Sequence, residues 1–231
     1  MDTRIKTCIC ADCEFRDVAF SSLDDHYIRE LCNNKEEIRY SKGEIINHQG
    51  DTITHFKYLK HGLVKLFRTT DDRKQQIITI TRPFEFVSTM SVFSGERYKY
   101  SVAALEDSVV CSVKIDFIRD LFMKNSGFAV NLFARVMKIS EKIIGQTLDI
   151  RQKNLAGRVA FVLLYLMKDI FKSRVFDIPV SREEIADYIG MSTANVIRTL
   201  SDFKRDGIIR TTGKTIEILD IDKLEIISKR G

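Results

Sequence analysis

The sequence predicts an α+β chain with three structural parts: a β-barrel of the jelly-roll type, a long helix and a C-terminal winged helix-turn-helix. Short apolar runs separated by turn residues fill residues 38–114, and helical apolar spacing returns after residue 115. Two short helical segments then meet at Gly190. The predicted bounds are a cysteine-bearing leader at 1–20, the barrel at 21–116, the long helix at 117–152 and the winged domain at 153–231.

The composition is that of a globular protein, with 44% hydrophobic and 30% charged residues. No apolar run approaches the roughly 20 residues that span a bilayer. The first residues also lack the apolar segment of a secretory signal, so we expect a soluble cytoplasmic protein. From Arg151 onward, 15 Lys and Arg accompany 11 Asp and Glu. Such a basic excess is typical of a domain that binds a polyanion.

The barrel region begins with a predicted helix over residues 21–37. Its apolar residues recur at spacings of three and four, and Ser22 is the expected N-cap. About eight short strands follow, and a closed barrel or jelly roll leaves the fewest unpaired sheet edges.

The long helix carries an apolar stripe with heptad-like spacing, in which Gln146 fills the one gap. The stripe could pack on the helix's own barrel. We favour a two-fold dimer seam, because a long helix at the edge of a barrel has a spare apolar face. The predicted seam residues are Leu132, Val136, Ile139, Ile143 and Ile150.

Two short helices with a tight corner are predicted in "SREEIADYIGMSTANVIRTLSDFKRDG". Ser181 and Glu184 have the spacing of a capping box, and Gly190 suits a left-handed corner. Ser192 caps the second helix and Gly207 ends it. The following "IIRTTGKTIEIL" predicts a hairpin wing. This combination is typical of a motif that lays its second helix in the major groove of DNA.

Candidate DNA contacts follow from the predicted outer face of that second helix. Arg198 is the strongest candidate for reading a base, because a guanidinium pairs bidentately with a guanine edge. Its predicted neighbours on this face are Thr193, Ala194, Ile197 and Ser201. Residues placed for phosphate contacts, which set register rather than sequence, are Ser181, Arg182, Ser192, Asn195 and Lys214.

The order of barrel, long helix and winged helix-turn-helix resembles the CRP/FNR family of bacterial transcription regulators. "SREEIADYIGMSTANVIRTL", "GKTI" and the glycine-spaced barrel stretch at Gly43, Gly50 and Gly62 carry the resemblance. The resemblance implies a cyclic-nucleotide-binding-like barrel, a homodimer, a palindromic DNA operator and a small signal. Gene activation would also need a surface that contacts RNA polymerase.

Two departures from the family pattern concern the ligand and the operator. The cyclic-AMP-binding members carry a glutamate and an Arg-Ser pair, and the matching positions here are Thr89 and Tyr100-Ser101. A cyclic phosphate would lose its main charge-assisted bond, so cyclic AMP is not the expected ligand. Arg97 and Lys99 are cations near these positions.

In the second helix of the helix-turn-helix, many family members have a glutamate where this chain has Ala194. The operator should therefore differ from the best-known consensus sequences.

The cysteines leave three interpretations open. Cys10 and Cys13 have the C-x-x-C spacing of zinc sites and redox switches. The oxygen-sensing branch of the family uses a similar run and a distant cysteine, which Cys111 matches. That resemblance implies an iron–sulfur cluster held by Cys8, Cys10, Cys13 and Cys111, although its usual third position is Ala19 here. In the third interpretation the leader binds nothing and Cys111 is an inert core residue. Cys32 is a further candidate thiolate.

The sequence gives less support to two other classes of function than to a DNA-binding regulator. The histidines form no metal-binding spacing, and neither a G-x-S-x-G nor a phosphate-cradling glycine loop is present, so an enzyme is not expected. The alternative is a small-molecule-binding barrel protein whose helix pair contacts another protein. Salt dependence separates this alternative from DNA binding, which weakens steeply as salt rises.

Overall fold

The structure, a computed structural model, describes residues 4–5, 13, 16, 20–70, 75–87 and 89–231 of the chain. At residues 4, 5, 89 and 90 only the backbone is described. The chain divides into two compact units, Met1–Ile143 and Ile144–Gly231. No helix in these described ranges is long and apolar enough to cross a membrane.

The N-terminal unit begins with strand β1 (Arg4–Ile5), helix α1 (Asp25–Asn33) and strand β2 (Lys35–Tyr40). The cap of α1 corrects the sequence prediction. Asp24, rather than Ser22, accepts the capping hydrogen bond from the backbone N–H of Tyr27 at 3.0 Å. Asp and Ser have similar N-cap preferences, so the local pattern could not choose between them. The apolar residues that predicted this helix are largely buried: Leu23, Ile28 and Leu31.

Eight strands over residues 35–114 form the predicted jelly roll. After β2 they are β3 (Ile45–Asn47), β4 (His55–His61), β5 (Val64–Thr69), β6 (Gln75–Thr81), β7 (Phe86–Val87), β8 (Ser101–Ala104) and β9 (Ser108–Lys114). With β1 they build two antiparallel sheets within the described residues, in the orders β1-β2-β9-β4-β7 and β3-β8-β5-β6. This arrangement confirms the predicted fold class for this part of the chain.

Two apolar cores lie on opposite faces of the first sheet, which contains β4 and β9. Between the sheets, Leu59 and Val110 pack against Leu66 and Val102 of the second sheet. The outer face of the first sheet packs against helices, and its core includes Tyr58 and Cys111 together with residues of α1.

The predicted glycine turns are confirmed, because Gly43, Gly50 and Gly62 all have φ near +90°. Gly62 has a second constraint. A Cβ there would lie 2.3 Å from Ser108 Oγ, so any larger residue would collide with β9.

The run "EFVSTMSVF" differs from the predicted strand. It contains only the short β7 and then helix α2 (Thr89–Val92). The run is apolar both in β7 and in α2. Over so few residues, the periodicity of apolar residues cannot distinguish a strand from a buried helical turn.

The predicted single helix over 117–152 is two helices, α3 (Ile115–Lys124) and α4 (Ser126–Gln152). Asn125 separates them with an extended backbone, φ −132° and ψ 89°. Asn is a weak helix former that competes for backbone hydrogen bonds, which accounts for the break.

The second unit contains the predicted winged helix-turn-helix. Its elements after α4 are α5 (Leu155–Tyr165), a π-helical turn (Leu166–Phe171), β10 (Val175–Asp177), α6 (Arg182–Ile189), α7 (Thr193–Arg205), β11 (Ile209–Thr212), β12 (Thr215–Ile218) and α8 (Ile221–Arg230). The strands pair antiparallel in the order β10-β12-β11. The largely buried α5 forms the centre of this unit.

Candidate nucleic-acid interface

The first helix of the motif, α6, begins with the predicted capping box. Ser181 Oγ accepts from the backbone N–H of Glu184 at 3.1 Å, and Glu184 Oε2 accepts from the backbone N–H of Ser181 at 2.7 Å. The backbone N–H groups of the N-cap residue and of Glu184 are thereby satisfied, so α6 starts at a defined residue. Ile185 and Ala186 are buried and fix the inward face.

The corner between the helices is formed by Gly190, which has φ 64° and ψ 50°. Arg158 on α5 stabilises it. Arg158 Nη1 donates to the carbonyl oxygens of Ile189 at 3.1 Å and Gly190 at 3.2 Å. Its Nε donates to the carbonyl oxygen of Lys153 at 3.0 Å. These carbonyls lie at helix ends and lack helical partners, so Arg158 ties the corner to α5.

Sequence reasoning missed Arg158. The available signal was one arginine inside the otherwise apolar "LAGRVAFVLLYL" segment. A charged residue there needs polar partners close by.

The second helix, α7, presents its apolar side to the unit and its polar side outward. Ser192 Oγ caps it by accepting from the backbone N–H of Asn195 at 3.3 Å. Val196, Leu200 and Phe203 are buried, as predicted. The helix ends in a Schellman motif at Gly207, because Ile208 N–H donates to the carbonyl oxygen of Phe203 at 2.9 Å.

The predicted base-reading face is exposed at four of its five positions: Ala194, Ile197, Arg198 and Ser201. Thr193 is half-buried. Arg198 Nη2 lies 3.4 Å from Asn195 Oδ1, a long contact that leaves the other guanidinium donors to solvent. Ser201 Oγ donates to the carbonyl oxygen of Ile197 at 2.9 Å, so its proton is already used. Arg198 is therefore the side chain on this face best equipped to donate to a base.

The predicted phosphate-contacting residues occupy different environments. Ser181 and Ser192 use their hydroxyl oxygens as cap acceptors, which leaves each O–H free to donate. Lys214 is exposed in the turn between the wing strands. Asn195 is half-buried on α7.

Arg182 differs from the predicted phosphate contact. It is half-buried, and its Nη1 is buried without a hydrogen-bond partner among the described residues. Burial also lowers the pKa of its guanidinium. This part of Arg182 is not free to reach a phosphate.

In the barrel, the residues that replace the cyclic-nucleotide pair take structural roles. Ser101 is buried, and its Oγ accepts from the backbone N–H of Gln49 at 2.9 Å. Tyr100 packs against the core between the sheets. Arg97 Nη1 donates to the carbonyl oxygen of Gly50 at 2.8 Å, and Lys99 is exposed. The side chain of Thr89 is outside the described part.

The cysteines do not form a metal site in the part of the chain that is described. Cys13 and Cys111 contact the same helix-facing core, whereas Cys8 and Cys10 fall outside the described residues. Cys111 is fully buried, and burial raises the pKa of its thiol to about 12. No group of three His, Cys, Asp or Glu among the described residues could share a metal ion. With two of the four predicted ligands outside the described residues, the iron–sulfur cluster and the zinc site stay predictions.

In the single chain, the residues of the predicted dimer seam lie on the packed side of α4. Leu132 is only 1% exposed, and most of the other predicted seam residues are also buried in the single chain: Val136, Ile143 and Ile150, with Ile139 packed against the helix-facing core. These side chains have little surface left to bury in a dimer. The exposed apolar residues of α4 form a different stripe, which is Val130, Phe133, Met137, Ile144 and Leu148.

Two family profiles match the two units separately. The cyclic nucleotide-binding domain profile matches residues 37–125, and the Crp-like helix-turn-helix domain profile matches residues 157–227. The first extends from within β2 to the end of α3, and the second extends from within α5 through the winged motif into α8.

Curated relatives align with most of the chain. The transcriptional activator protein FnrA of Stutzerimonas stutzeri is 29% identical over 78% of this chain and 75% of that protein. The nitrogen fixation regulation protein FixK of Bradyrhizobium diazoefficiens is 26% identical over 95% and 93%. The fumarate and nitrate reduction regulatory protein of Escherichia coli K12 is 26% identical over 93% and 88%.

Solved structures share the fold. FixK2 from Bradyrhizobium japonicum superposes with a TM-score of 0.76 at 23% identity, covering 83% of this chain and 96% of that one. A Crp/Fnr-family regulator from Eubacterium rectale gives 0.74 at 19% identity, covering 91% and 97%. With both domains matched in order and transcription regulators aligned over most of its length, the chain belongs to the CRP/FNR family and is a DNA-binding transcription regulator rather than an enzyme.

Proposed function

We propose that this regulator acts in the cytoplasm as a homodimer on a palindromic operator, under the control of a small signal that is not cyclic AMP. The observation that carries the proposal is the exposed apolar stripe of α4. On a monomer, this stripe would leave a row of large apolar side chains in water, which is unfavourable in a soluble protein.

The stripe has the spacing of a helix-to-helix seam. Val130, Phe133 and Met137 are separated by three and four residues, and Ile144 continues the heptad one repeat later. Phe133 is 62% exposed and Met137 is 41% exposed, so both have area to bury. A second copy of the same helix offers a self-complementary surface around a two-fold axis.

A two-fold dimer would present two α7 helices to successive major grooves, about 34 Å apart. Arg198 would read a guanine in each half-site, while Ser181, Ser192 and Lys214 bind phosphates. Ala194 offers no acceptor for a cytosine amine. The base pair opposite this position would therefore not be read by a carboxylate.

Cyclic AMP is not the proposed signal. Tyr100 stands where a guanidinium would pair with the cyclic phosphate, and the Ser101 oxygen already accepts a backbone hydrogen bond. Whatever the signal is, it can control operator binding only by binding one arrangement of the dimer better than the other. A role in activation would further require contact with RNA polymerase.

The experiment combines operator selection with one pair of α4 variants. Duplexes selected from a random pool by the wild-type protein should contain an inverted repeat with a guanine in each half-site. Phe133→Glu should make the protein monomeric in sedimentation equilibrium, because a charge would be buried at the seam. Asn131→Glu, exposed on the same helix but off the stripe, is the matched control and should stay dimeric.

Affinity for the selected duplex should fall when the protein is no longer dimeric. Phe133→Glu should bind it at least about a hundredfold more weakly than Asn131→Glu, since two linked domains gain from effective concentration. A wild-type monomer, or a selected site without symmetry, would refute the homodimer.

A further inference from the structure

A pocket of about 340 Å³ opens on the N-terminal unit beside the exposed stripe of α4. It lies between the segment that follows α2, helix α3 and helix α4. Its walls include the aromatic and thioether side chains of Phe93, Phe122, Phe133 and Met137. Within the described part of the chain, the polar side chains of its lining are those of Ser94 and Ser140.

The aromatic wall is anchored in the buried core. The Phe93 and Phe122 rings lie 5.1 Å apart, and Phe122 makes an edge contact with the fully buried Phe128 at 5.5 Å. Phe93 also contacts the buried Phe56 at 6.2 Å. Phe93 is nevertheless 45% exposed, because its other side faces the pocket opening. The rings are thus positioned before anything binds, which lowers the entropic cost of binding.

The lining determines the charge of an occupant. Among the described residues, no charged side chain lines the pocket. An anion or cation placed there would lose hydration without a counter-charge, so the pocket disfavours ions, cyclic nucleotides included.

The volume determines the size of an occupant. An apolar cavity of about 150 Å³ holds a benzene ring. A pocket roughly twice that size fits a bicyclic aromatic.

One polar contact is also available. Ser140 Oγ donates its proton to the carbonyl oxygen of Val136 at 3.0 Å. The oxygen can then offer only lone pairs to a ligand, so it would accept a hydrogen bond from a neutral hydroxyl or amide group.

We propose that this pocket binds a neutral, ring-containing apolar molecule of about bicyclic size, with at most one hydrogen-bond donor. Phe133 and Met137 belong both to the pocket wall and to the exposed stripe, so an occupant would contribute surface to the seam. Binding should therefore strengthen the dimer. This second statement rests on the proposed homodimer, whereas the pocket assignment does not.

The test uses 2-naphthol as the neutral probe and 2-naphthoate as its charged counterpart, both titrated into the full chain by calorimetry. We expect saturable binding of 2-naphthol and at least about tenfold weaker binding of 2-naphthoate. Ser94→Trp should fill the pocket from the loop side, away from α4, and weaken 2-naphthol binding at least about tenfold. Ser41→Trp, at an exposed serine of the same unit outside the lining, is the control and should bind as the wild type does.

Each contrary outcome has a defined meaning. No saturable binding, equal binding of the two probes or an unchanged Ser94→Trp affinity overturns the pocket assignment. Sedimentation equilibrium with 2-naphthol should show a dimer dissociation constant lowered by about fivefold or more. A raised constant would mean that the partner's side chains fill the pocket, which also overturns the assignment. A chain that is monomeric but still binds 2-naphthol refutes the homodimer and leaves the pocket assigned.

Discussion

Arg135 on α4 donates a hydrogen bond from Nη2 to the carbonyl oxygen of Phe84 at 2.8 Å. Phe84 has φ 65°, a left-handed angle that is strained for a bulky side chain. The Arg135 guanidinium also lies over the Phe86 ring, 5.5 Å from its centroid. The long helix thus holds a strained turn between β6 and β7, just before α2.

Replacing Arg135 should loosen this turn. We expect Arg135→Met to lower the free energy of unfolding of the N-terminal unit by about 2 kcal/mol, because the Phe84 carbonyl loses a charged donor and Phe86 loses a cation–π contact. Urea unfolding followed by circular dichroism measures the change. Lys138→Met, exposed on the same helix, should change it by less than about 0.5 kcal/mol. Equal effects of the two variants would contradict the role of Arg135.

Lys57 should make the stability of the barrel depend on pH. Its Nζ crosses between the sheets to the carbonyl oxygen of Ile46 at 2.9 Å and to Asn47 Oδ1 at 2.5 Å. Burial lowers its pKa from 10.5 to about 8, against a smaller opposing effect of Asp51. Between these values the unfolded state binds more protons than the folded state, so stability rises with pH.

The corresponding measurement compares the wild type with Lys57→Met at pH 7 and pH 9.5. The wild type should gain about 2 kcal/mol relative to the variant over this interval. All other titrating groups are common to both proteins, so the difference isolates Lys57. A constant difference across the interval would show that Lys57 is not perturbed.

Arg198 and Lys214 should affect DNA binding in different ways. Arg198→Ala should cost about 1–3 kcal/mol on the selected operator and relax the preference at one base pair of each half-site. Lys214→Ala should weaken binding to all duplexes alike and make the salt dependence shallower by about one unit of slope per site. Titrations at several salt concentrations, on the operator and on a scrambled duplex, distinguish the two effects. Lys223→Ala, exposed on α8, should change neither quantity.

The Cys111 thiol should be unreactive in the folded protein. It is fully buried and its pKa is raised to about 12, so neither access nor thiolate is available below pH 9. Iodoacetamide labelling counted by mass spectrometry should miss Cys111 in the folded chain and reach all five cysteines after denaturation. The Cys111→Ala variant identifies the missing site. Rapid labelling of Cys111 in the native protein would overturn this expectation.

Arg158 should stabilise the DNA-binding unit without touching DNA. Arg158→Met leaves the carbonyls of Ile189 and Gly190 without their donor, at an expected cost of about 1–3 kcal/mol in the unfolding of this unit. Lys172→Met, an exposed change in the same unit, should be nearly neutral. A fully stable Arg158→Met would mean that solvent replaces the donor at no cost.

Local features of this protein follow directly from short stretches of its sequence. The capping box at Ser181, the left-handed Gly190 and the Schellman end at Gly207 depend on interactions within a few residues, so the pattern predicts them directly. In the same way, the alternation of apolar and polar residues and the turn glycines predict the strands and turns of the jelly roll. Together these features were enough to predict the fold class and an exposed Arg198 on the outer face of α7.

Which face of α4 stays exposed depends instead on long-range packing. The helix is apolar on more than one side, and spacing cannot say which stripe meets the sheet; packing buried Leu132 and exposed Phe133. Partners distant in sequence likewise determine the roles of Arg158, Arg135 and Cys111. Their environments follow from desolvation and long-range packing, which no local pattern encodes.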